Sequence, residues 1–467
     1  MIEFILNNTK IQTAAKTGMS LLHFIREEQG LKGTKSGCKE GDCGACTVLL
    51  GSLEANGKIS YKSVTSCLTP LANVQGKHVV TVEGLNLDRE LNVAQKAIKD
   101  NFATQCGFCT PGFVNSLSGL ALQNKGVNHE DAIHAISGNI CRCTGYKSIE
   151  KAAATVVDKL QDKDMSQDLE WLVAHHFIPD YFKEIPEKIA KINQSDMESE
   201  GVLVGGGTDL YVRYADTLLE QHIQRTKNLV GNHISIKDGI CTIEAGATVS
   251  DLLVNDELNT YFTHLPEYVK LISSEQIRNM ATVAGNFVNA SPIGDLSIFF
   301  LALNSTLHIK NAGGKSRYIP FKAFFKDYKK IDLATDEYIV DISFELEKDA
   351  HYFNFEKVSK RTHLDIASVN TAISLKLTNK VVYDIGLSIG GVAAIPTFLS
   401  KTARFIKGKE LSVPILKEAQ EIMQSEITPI SDVRGSKAYK GLLAKQLFYA
   451  HFIRLFPNQF NLKDFTA

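Results

Sequence analysis

Eight of the nine cysteines fall within the first 143 residues, in two sets of four. Cys38, Cys43, Cys46 and Cys67 read C-x4-C-x2-C with a distant fourth; Cys106, Cys109, Cys141 and Cys143 read C-x2-C, a long gap, then C-x-C. Thiolates in fours bind iron–sulfur clusters or structural zinc, and the first spacing is that of a plant-type [2Fe–2S] loop. Gly33, Gly37, Gly41 and Gly44 would let that loop close tightly and turn its amides toward sulfur. Zinc ribbons usually show two C-x2-C knuckles, and this set has one. The second set, closed by Gly145, leaves iron–sulfur and zinc both open by spacing alone. Cys241, near Ile240 and Ile243, reads as a small buried apolar residue.

A second chemistry is suggested by Gly205, Gly206 and Gly207, which follow a short apolar strand and precede Thr208 and Asp209. Consecutive glycines expose amides to a pyrophosphate without obstruction by Cβ, and a Thr hydroxyl adds a donor. Leu210 occupies the place of the last glycine of G-x-G-x-x-G, so a Rossmann fingerprint is not supported. By itself such a turn is an ordinary loop more often than a binding site.

Elements must hold these groups in place. A length of 467 residues predicts about three domains of roughly 150 residues. A net charge of −1 offers no basic field for nucleic acid or an anionic membrane. The start, MIEFILNNTK, lacks the basic and apolar regions of a secretory signal, and no run of about 18 apolar residues predicts a membrane span. The expected setting is cytoplasmic, where thiols stay reduced and cysteines serve as metal ligands rather than disulfides.

Residues 1–86 read as short strands and turns: a hairpin from EFIL and KIQTA, a helix near Leu21–Glu28, and a returning strand in TVLLGSLEA. Residues 87–160 read as helical, with Pro111 at a helix start, an Asn128 cap and a last helix from Ser148 to Leu160. The polar stretch 161–175 reads as a linker. Short strands, helices and glycine turns fill 176–345, and a charged shift near Leu346–His351 separates a C-terminal α+β segment, 346–467.

The strings GCKEGDCGACTV (37–48), QCGFCTPGF (105–113) and GNICRCTGY (138–146) resemble the iron–sulfur module of the molybdenum hydroxylases, the family of xanthine dehydrogenases and aldehyde oxidases. VLVGGGTDL (202–210) and SSEQIRNMATVAGNFVNASPIGDL (273–296) resemble the two FAD loops of that family's flavin domain. GGVAAIP (390–396) and SDVRGSKAYKGLLAKQL (431–447) resemble its C-terminal domain. The resemblance implies an α+β multidomain chain. Its parts would be a β-grasp, ferredoxin-like [2Fe–2S] domain, a helical-bundle [2Fe–2S] domain, an α+β FAD-binding domain of the PCMH/CO dehydrogenase flavoprotein type, and an α+β C-terminal domain.

The site residues implied by the resemblance follow from these strings. All eight cysteines of the two sets would ligate two [2Fe–2S] clusters. Leu203, Val204, Gly205, Gly206, Gly207, Thr208, Asp209 and Leu210, with Thr282, Gly285 and Asn286, would hold the FAD pyrophosphate and ribityl chain. Asp295 would bond a ribose or ribityl hydroxyl; Ile272 and Ile339 would pack near adenine or flavin, and Lys357 would lie near the isoalloxazine. Ala284 stands where the family often has a first glycine, which bears on the local backbone approach. Gln105 would face the pterin of a molybdenum cofactor in a partner chain, its plainer reading being a surface glutamine.

No molybdopterin domain is expected within these 467 residues, so the resemblance places it on a large partner subunit, in an (αβ)2 heterotetramer. The fused iron–sulfur and FAD order is most like a small subunit of bacterial xanthine dehydrogenase. Electrons from hypoxanthine or xanthine, oxidised to urate at the partner's molybdenum, would pass through the second and first clusters to FAD and then NAD+. No side chain here is expected to be catalytic toward the purine. The alternatives are the electron-transfer subunit of a hydroxylase acting on an aldehyde or N-heterocycle, and a zinc-stabilised binding protein without redox function.

Overall fold

The computed structural model describes residues 1–192, 201–346, 351–361 and 364–465. These divide into two compact units, Met1–Asn228 with Ser274–Ala281, and Leu229–Ser273 with Thr282–Ala467. Among the described residues no helix is long and apolar enough to cross a membrane.

The first unit opens with the expected hairpin, β1 (Ile2–Leu6) against β2 (Thr9–Thr13). β3 (Thr47–Leu53) and β4 (Ile59–Thr65) form a second antiparallel pair. β5 (His78–Val80) enters between β1 and β3, parallel to one and antiparallel to the other, giving the order β2-β1-β5-β3-β4. Ser20 accepts from His23 N at the start of a helical segment that runs to Glu28. That segment buries Leu21, Leu22, Phe24 and Ile25 in the core shared with Ile2, Phe4 and Val48. This mixed sheet with its single helix is the β-grasp arrangement.

Four helices follow, Val93–Asp100, Thr110–Ala121, His129–Ile136 and Lys147–Leu160. Asn92 with Gln95 and Asn128 with Asp131 form reciprocal caps, each satisfying two otherwise orphaned amides. Pro111 sits in the first turn of its helix, where a missing N–H costs nothing. Gly119 lets that helix lie on β3: a Cβ there would stand 2.9 Å from Leu49 Cδ2. Leu117, Val156 and Ala152 are fully buried in the shared core, each large aliphatic contributing about 1.5–3 kcal/mol.

The stretch 161–175, read from composition as a linker, is ordered instead. Asp164 caps a short 3-10 turn by accepting from Ser166 N, and Asp168–Ala174 is helical. Leu172 is wholly buried with the helical core. Lys163 Nζ donates to the carbonyls of Ala121 and Gln123 and pairs with Asp168. A lysine that looks solvating in sequence thus closes the C-terminal end of a neighbouring helix.

Still in the first unit, β6 (Val202–Val204) and β7 (Ile223–Arg225) pair in parallel around the helix Leu210–Leu219. Tyr211 Oη donates to Gly18 O and Thr17 Oγ1 accepts from Ile223 N, so the glycine-loop strand packs with the β-grasp sheet. The short helix Glu275–Arg278, capped by Ser274, belongs to this unit too.

In the second unit, β8 (Ile234–Lys237), β9 (Ile240–Glu244), β10 (Thr306–Asn311), β11 (Ser316–Pro320) and β14 (Glu337–Glu345) form a sheet in the order β11-β10-β14-β9-β8. A small hairpin, β12 (Phe325–Asp327) with β13 (Lys330–Ile331), lies between β11 and β14 in sequence. Cys241 sits opposite Phe344 with no exposure, and burial pushes its thiol up to about 12, as a small core residue should behave. The C-terminal sheet is β15 (His351–Val358), β16 (Val369–Thr378), β17 (Val381–Gly390) and β18 (Thr397–Phe398). The helix Asp295–Ala302 is buried along its length and presses so closely that a Cβ on Gly386 would be 1.9 Å from Ala302 O. The expected boundary near Leu346–His351 includes residues 347–350, which lie outside the described residues.

Candidate cluster and flavin sites

The glycine-studded loop before β3 folds back on itself so that its amides meet its sulfurs. Cys38 Sγ receives the amides of Glu40 and Cys43 at 3.4 Å, and Cys43 Sγ receives the amide of Cys38 at 3.5 Å. Cys46 and Cys67, both buried, bring their sulfurs to 3.3 Å. The Cys43 thiol and nearby amides hold the Cys38 thiol down at about 5, and the Cys67 thiol lowers Cys46, while the second member of each pair is raised. The four thiols therefore stand as two pairs.

The second set pairs in the same way. Cys106 and Cys143 place their sulfurs 3.6 Å apart. Cys141 Sγ receives the hydroxyl of Thr144 at 3.1 Å and its amide at 3.5 Å. Burial and the adjacent Cys141 push Cys109 up to about 12. Cys106 and Cys143 are exposed, as are Gln105 and the side chains of Phe108 and Tyr146 beside them. All nine cysteines are free thiols.

The two sets are bolted together. The amide of Ile140 donates to Cys43 O at 3.0 Å, and Asn139 Nδ2 donates to Gly44 O at 3.0 Å. Gly44, at φ +65°, has no room for a side chain: a Cβ would stand 2.3 Å from Gly138 O. Gly112 approaches Gly44 O just as closely from the helix behind.

In the first unit the candidate flavin residues Leu203 to Leu210 run from the end of β6 to the start of the helix Leu210–Leu219, with Asp209 at the cap position. Gly207 adopts φ +84°, and a Cβ on Gly206 would meet Met280 O at 1.9 Å. Asn73 Nδ2 donates to Gly205 O at 2.9 Å. The loop is thus a bare-backbone turn held from both sides, as an amide cradle for phosphate requires.

In the second unit Thr282 caps the helix Val283–Asn289, its Oγ1 accepting from Gly285 N, and Asn286 Oδ1 accepts from Ser297 N and Oγ. The structure joins Asp295 and Lys357 directly: Nζ lies 2.7 Å from Asp295 Oδ2 and 2.7 Å from Leu271 O, next to Ile272. Ile272 is buried, and Ile339 is buried on β14 opposite Ile309.

Sequence reasoning passed over several residues that build these sites. Asn370 Nδ2 donates to Asp295 Oδ1 at 2.6 Å, and nothing local to Asn370 signals it. Asn139 lies within GNICRCTGY and Gln276 within SSEQIRNMATVAGNFVNASPIGDL, and neither stands out from its neighbours there. Gln276 Nε2 donates to Ser116 Oγ, Ala135 O and Asn139 Oδ1.

Four thiols in two pairs, with amides and hydroxyls aimed at sulfur, match a diiron cluster in which each iron takes two thiolates.

Sequence comparison carries the same pattern. The family model for a 2Fe-2S iron–sulfur cluster binding domain matches residues 4–72, and that for a [2Fe-2S] binding domain matches 81–154. The FAD binding domain in molybdopterin dehydrogenase matches 174–344, and the CO dehydrogenase flavoprotein C-terminal domain matches 354–455. Xanthine dehydrogenase 1 of Arabidopsis thaliana is 27% identical over 93% of this chain and 38% of its own length. Xanthine dehydrogenase of Emericella nidulans is 28% identical over 96% and 38%, and xanthine dehydrogenase/oxidase of Mus musculus 26% over 96% and 38%. CO dehydrogenase of Oligotropha carboxidovorans shares the fold over 54% of this chain and 88% of its own, at TM-score 0.50 and 22% identity. A carbon monoxide dehydrogenase chain from Hydrogenophaga pseudoflava does so over 55% and 90%, at the same score and identity.

Fold and domain order together define a chain with two [2Fe–2S]-binding domains and an FAD-binding domain. Along 93–96% of its length the chain is similar to xanthine dehydrogenases, at 26–28% identity. It spans 38% of the length of the first of these curated relatives.

Proposed function

We propose that this chain is the iron–sulfur and FAD subunit of a xanthine dehydrogenase, relaying electrons from a molybdopterin-bearing large subunit to NAD+. The observation that carries this reading is the serial placement of the two thiol tetrads. One lies at the surface at Cys106 and Cys143, the other is buried at Cys46 and Cys67, and the Ile140 to Cys43 hydrogen bond joins them. A buried inner centre and an exposed outer one suit a relay whose electrons enter from another chain.

The chain's own residues bind, orient and insulate. The eight cysteines hold two [2Fe–2S] clusters; Leu203 to Leu210, Thr282, Gly285, Asn286, Asp295, Ile272, Ile339 and Lys357 hold FAD; exposed Gln105 meets the partner's pterin. Bound FAD supplies the change from one-electron to two-electron transfer. The net reaction is xanthine, water and NAD+ to urate, NADH and a proton, with hypoxanthine as the preceding substrate. The assembly is an (αβ)2 heterotetramer in the cytoplasm.

Co-purification with a molybdopterin-binding large subunit, then xanthine-dependent reduction of NAD+, tests the reading. Turnover of aldehydes or N-heterocycles alone would assign the chain to another molybdenum hydroxylase. A chain that purifies anaerobically with zinc and no flavin or iron–sulfur absorption would overturn the redox reading altogether.

A further inference from the structure

Gln276 is fully buried, and the hydrogen bonds of its amide run to no cysteine. Its carboxamide donates to Ser116 Oγ at 3.0 Å, Ala135 O at 3.0 Å and Asn139 Oδ1 at 3.3 Å. Each acceptor belongs to an element that carries a tetrad. Ser116 is on the helix that follows Cys109, Ala135 is on the helix that leads to Cys141, and Asn139 lies two residues before Cys141. Ser116 Oγ also donates to Asn139 Oδ1 at 2.7 Å, and the Asn139 amide reaches on to Gly44 O and Thr47 Oγ1 in the first loop. One side chain therefore closes a network that contains both cysteine loops.

The same short segment continues to the glycine loop. Asn279 Nδ2 donates to Ser63 O at 2.9 Å, and Met280 Sδ accepts from Thr69 Oγ1 at 3.0 Å. Met280 O then closes over Gly206, where no Cβ could fit. Residues 274–281 are a strut with Gln276 at one end and the GGG turn at the other.

We propose that Gln276 is a positioning residue that sets the spacing of the two cluster sites and the shape of the GGG turn together, so that flavin affinity and the contact between clusters share one determinant. This rests on the electron-relay reading above. Buried polar networks hold a single arrangement most firmly when fully satisfied; here the Gln276 amide donates three times while its Oε1 has no hydrogen-bond partner among the described residues. The outer hydrogen-bond partners of cofactor ligands commonly change affinity by 10- to 100-fold.

The test uses the holoprotein and Gln276→Leu. Iron, sulfide and flavin are counted, FAD dissociation is followed by fluorescence, and the magnetic interaction between the two reduced clusters is read by low-temperature electron paramagnetic resonance. That interaction falls with the cube of distance, and a side chain acting only on stability would leave it unmoved. The expected result is full cluster content, an altered splitting and FAD binding weakened about 10-fold. Wild-type splitting with wild-type FAD affinity would overturn the proposal. Should Gln276→Leu fail to fold, two milder variants decide. Ser116→Ala should shift the splitting, and Asn279→Ala should weaken FAD; normal behaviour in both overturns the proposal. A wild-type holoprotein lacking iron or flavin would instead sink the relay reading on which it rests.

Discussion

The amide of Ile140 donates to the carbonyl of Cys43 across 3.0 Å, so a single hydrogen bond spans from a residue adjoining Cys141 to a ligand candidate of the other tetrad. Ile140→Pro removes that donor. Both clusters should still assemble, because no thiol is lost, while reduction of the inner cluster should lag behind the outer one in stopped-flow absorption. Unchanged transfer between them would show that the bond carries nothing.

Gly44→Ala is expected to be harsher. Its Cβ would enter within 2.3 Å of Gly138 O at a φ of +65°, a conformation that L-residues resist. Iron content should fall by about half, with the surviving signal that of the second tetrad. Full iron would mean the loop relaxes more freely than its packing implies.

Gly206→Ala addresses the flavin loop in the same way, since its Cβ would lie 1.9 Å from Met280 O. FAD content should drop, with the cluster spectrum intact, and added FAD should restore occupancy only at a concentration at least about 10-fold higher. Retention of stoichiometric FAD would remove the GGG turn from the binding site.

Lys357 and Asp295 form an ion pair with side-chain exposures of 2% and 12%. Lys357→Met leaves a carboxylate held by Asn370 alone, and should cost about 3–5 kcal/mol in denaturant unfolding of the apoprotein. The double variant Lys357→Met with Asp295→Asn should recover most of that loss. If it does not, the pair matters for its shape and not for its charge balance.

Acid should weaken both units through buried neutral histidines. His78 accepts from Tyr61 Oη and donates to Asn7 O; His451 lies between Asn354 Nδ2 and Thr371 Oγ1. Burial lowers each to about 3. A base whose folded value is depressed adds stability above its unfolded value near 6.5 and loses it as pH falls from there toward 3. Each histidine should cost about 2 kcal/mol between pH 7 and pH 5. Denaturant midpoints that stay level across that range would show that the cavities admit a proton and its water.

The chemistry was legible where it depends on local spacing. Cysteines at fixed offsets and glycines in a row are signals a single strand of sequence can carry, because the candidate groups lie close together in the chain. The supports were not legible. Gln276 meets Asn139 from 137 positions away, and no periodicity marks such a pair. Lys163 looked like part of a solvated linker because composition cannot show that its amine ends on Ala121 O and Gln123 O. The glycine turn lies in the stretch 174–344 matched by the FAD binding domain model, and it packs in one compact unit with residues 1–192.

The strut at residues 274–281 also bears on how the chain is made. Everything else in the first unit has been synthesised by Asn228, but Ser116, Ala135 and Asn139 then still await Gln276. At about 5–20 residues per second, the ribosome needs some seconds more to deliver it. During that interval both cysteine loops exist without their shared anchor. The order of translation thus leaves both loops unanchored until the last segment arrives.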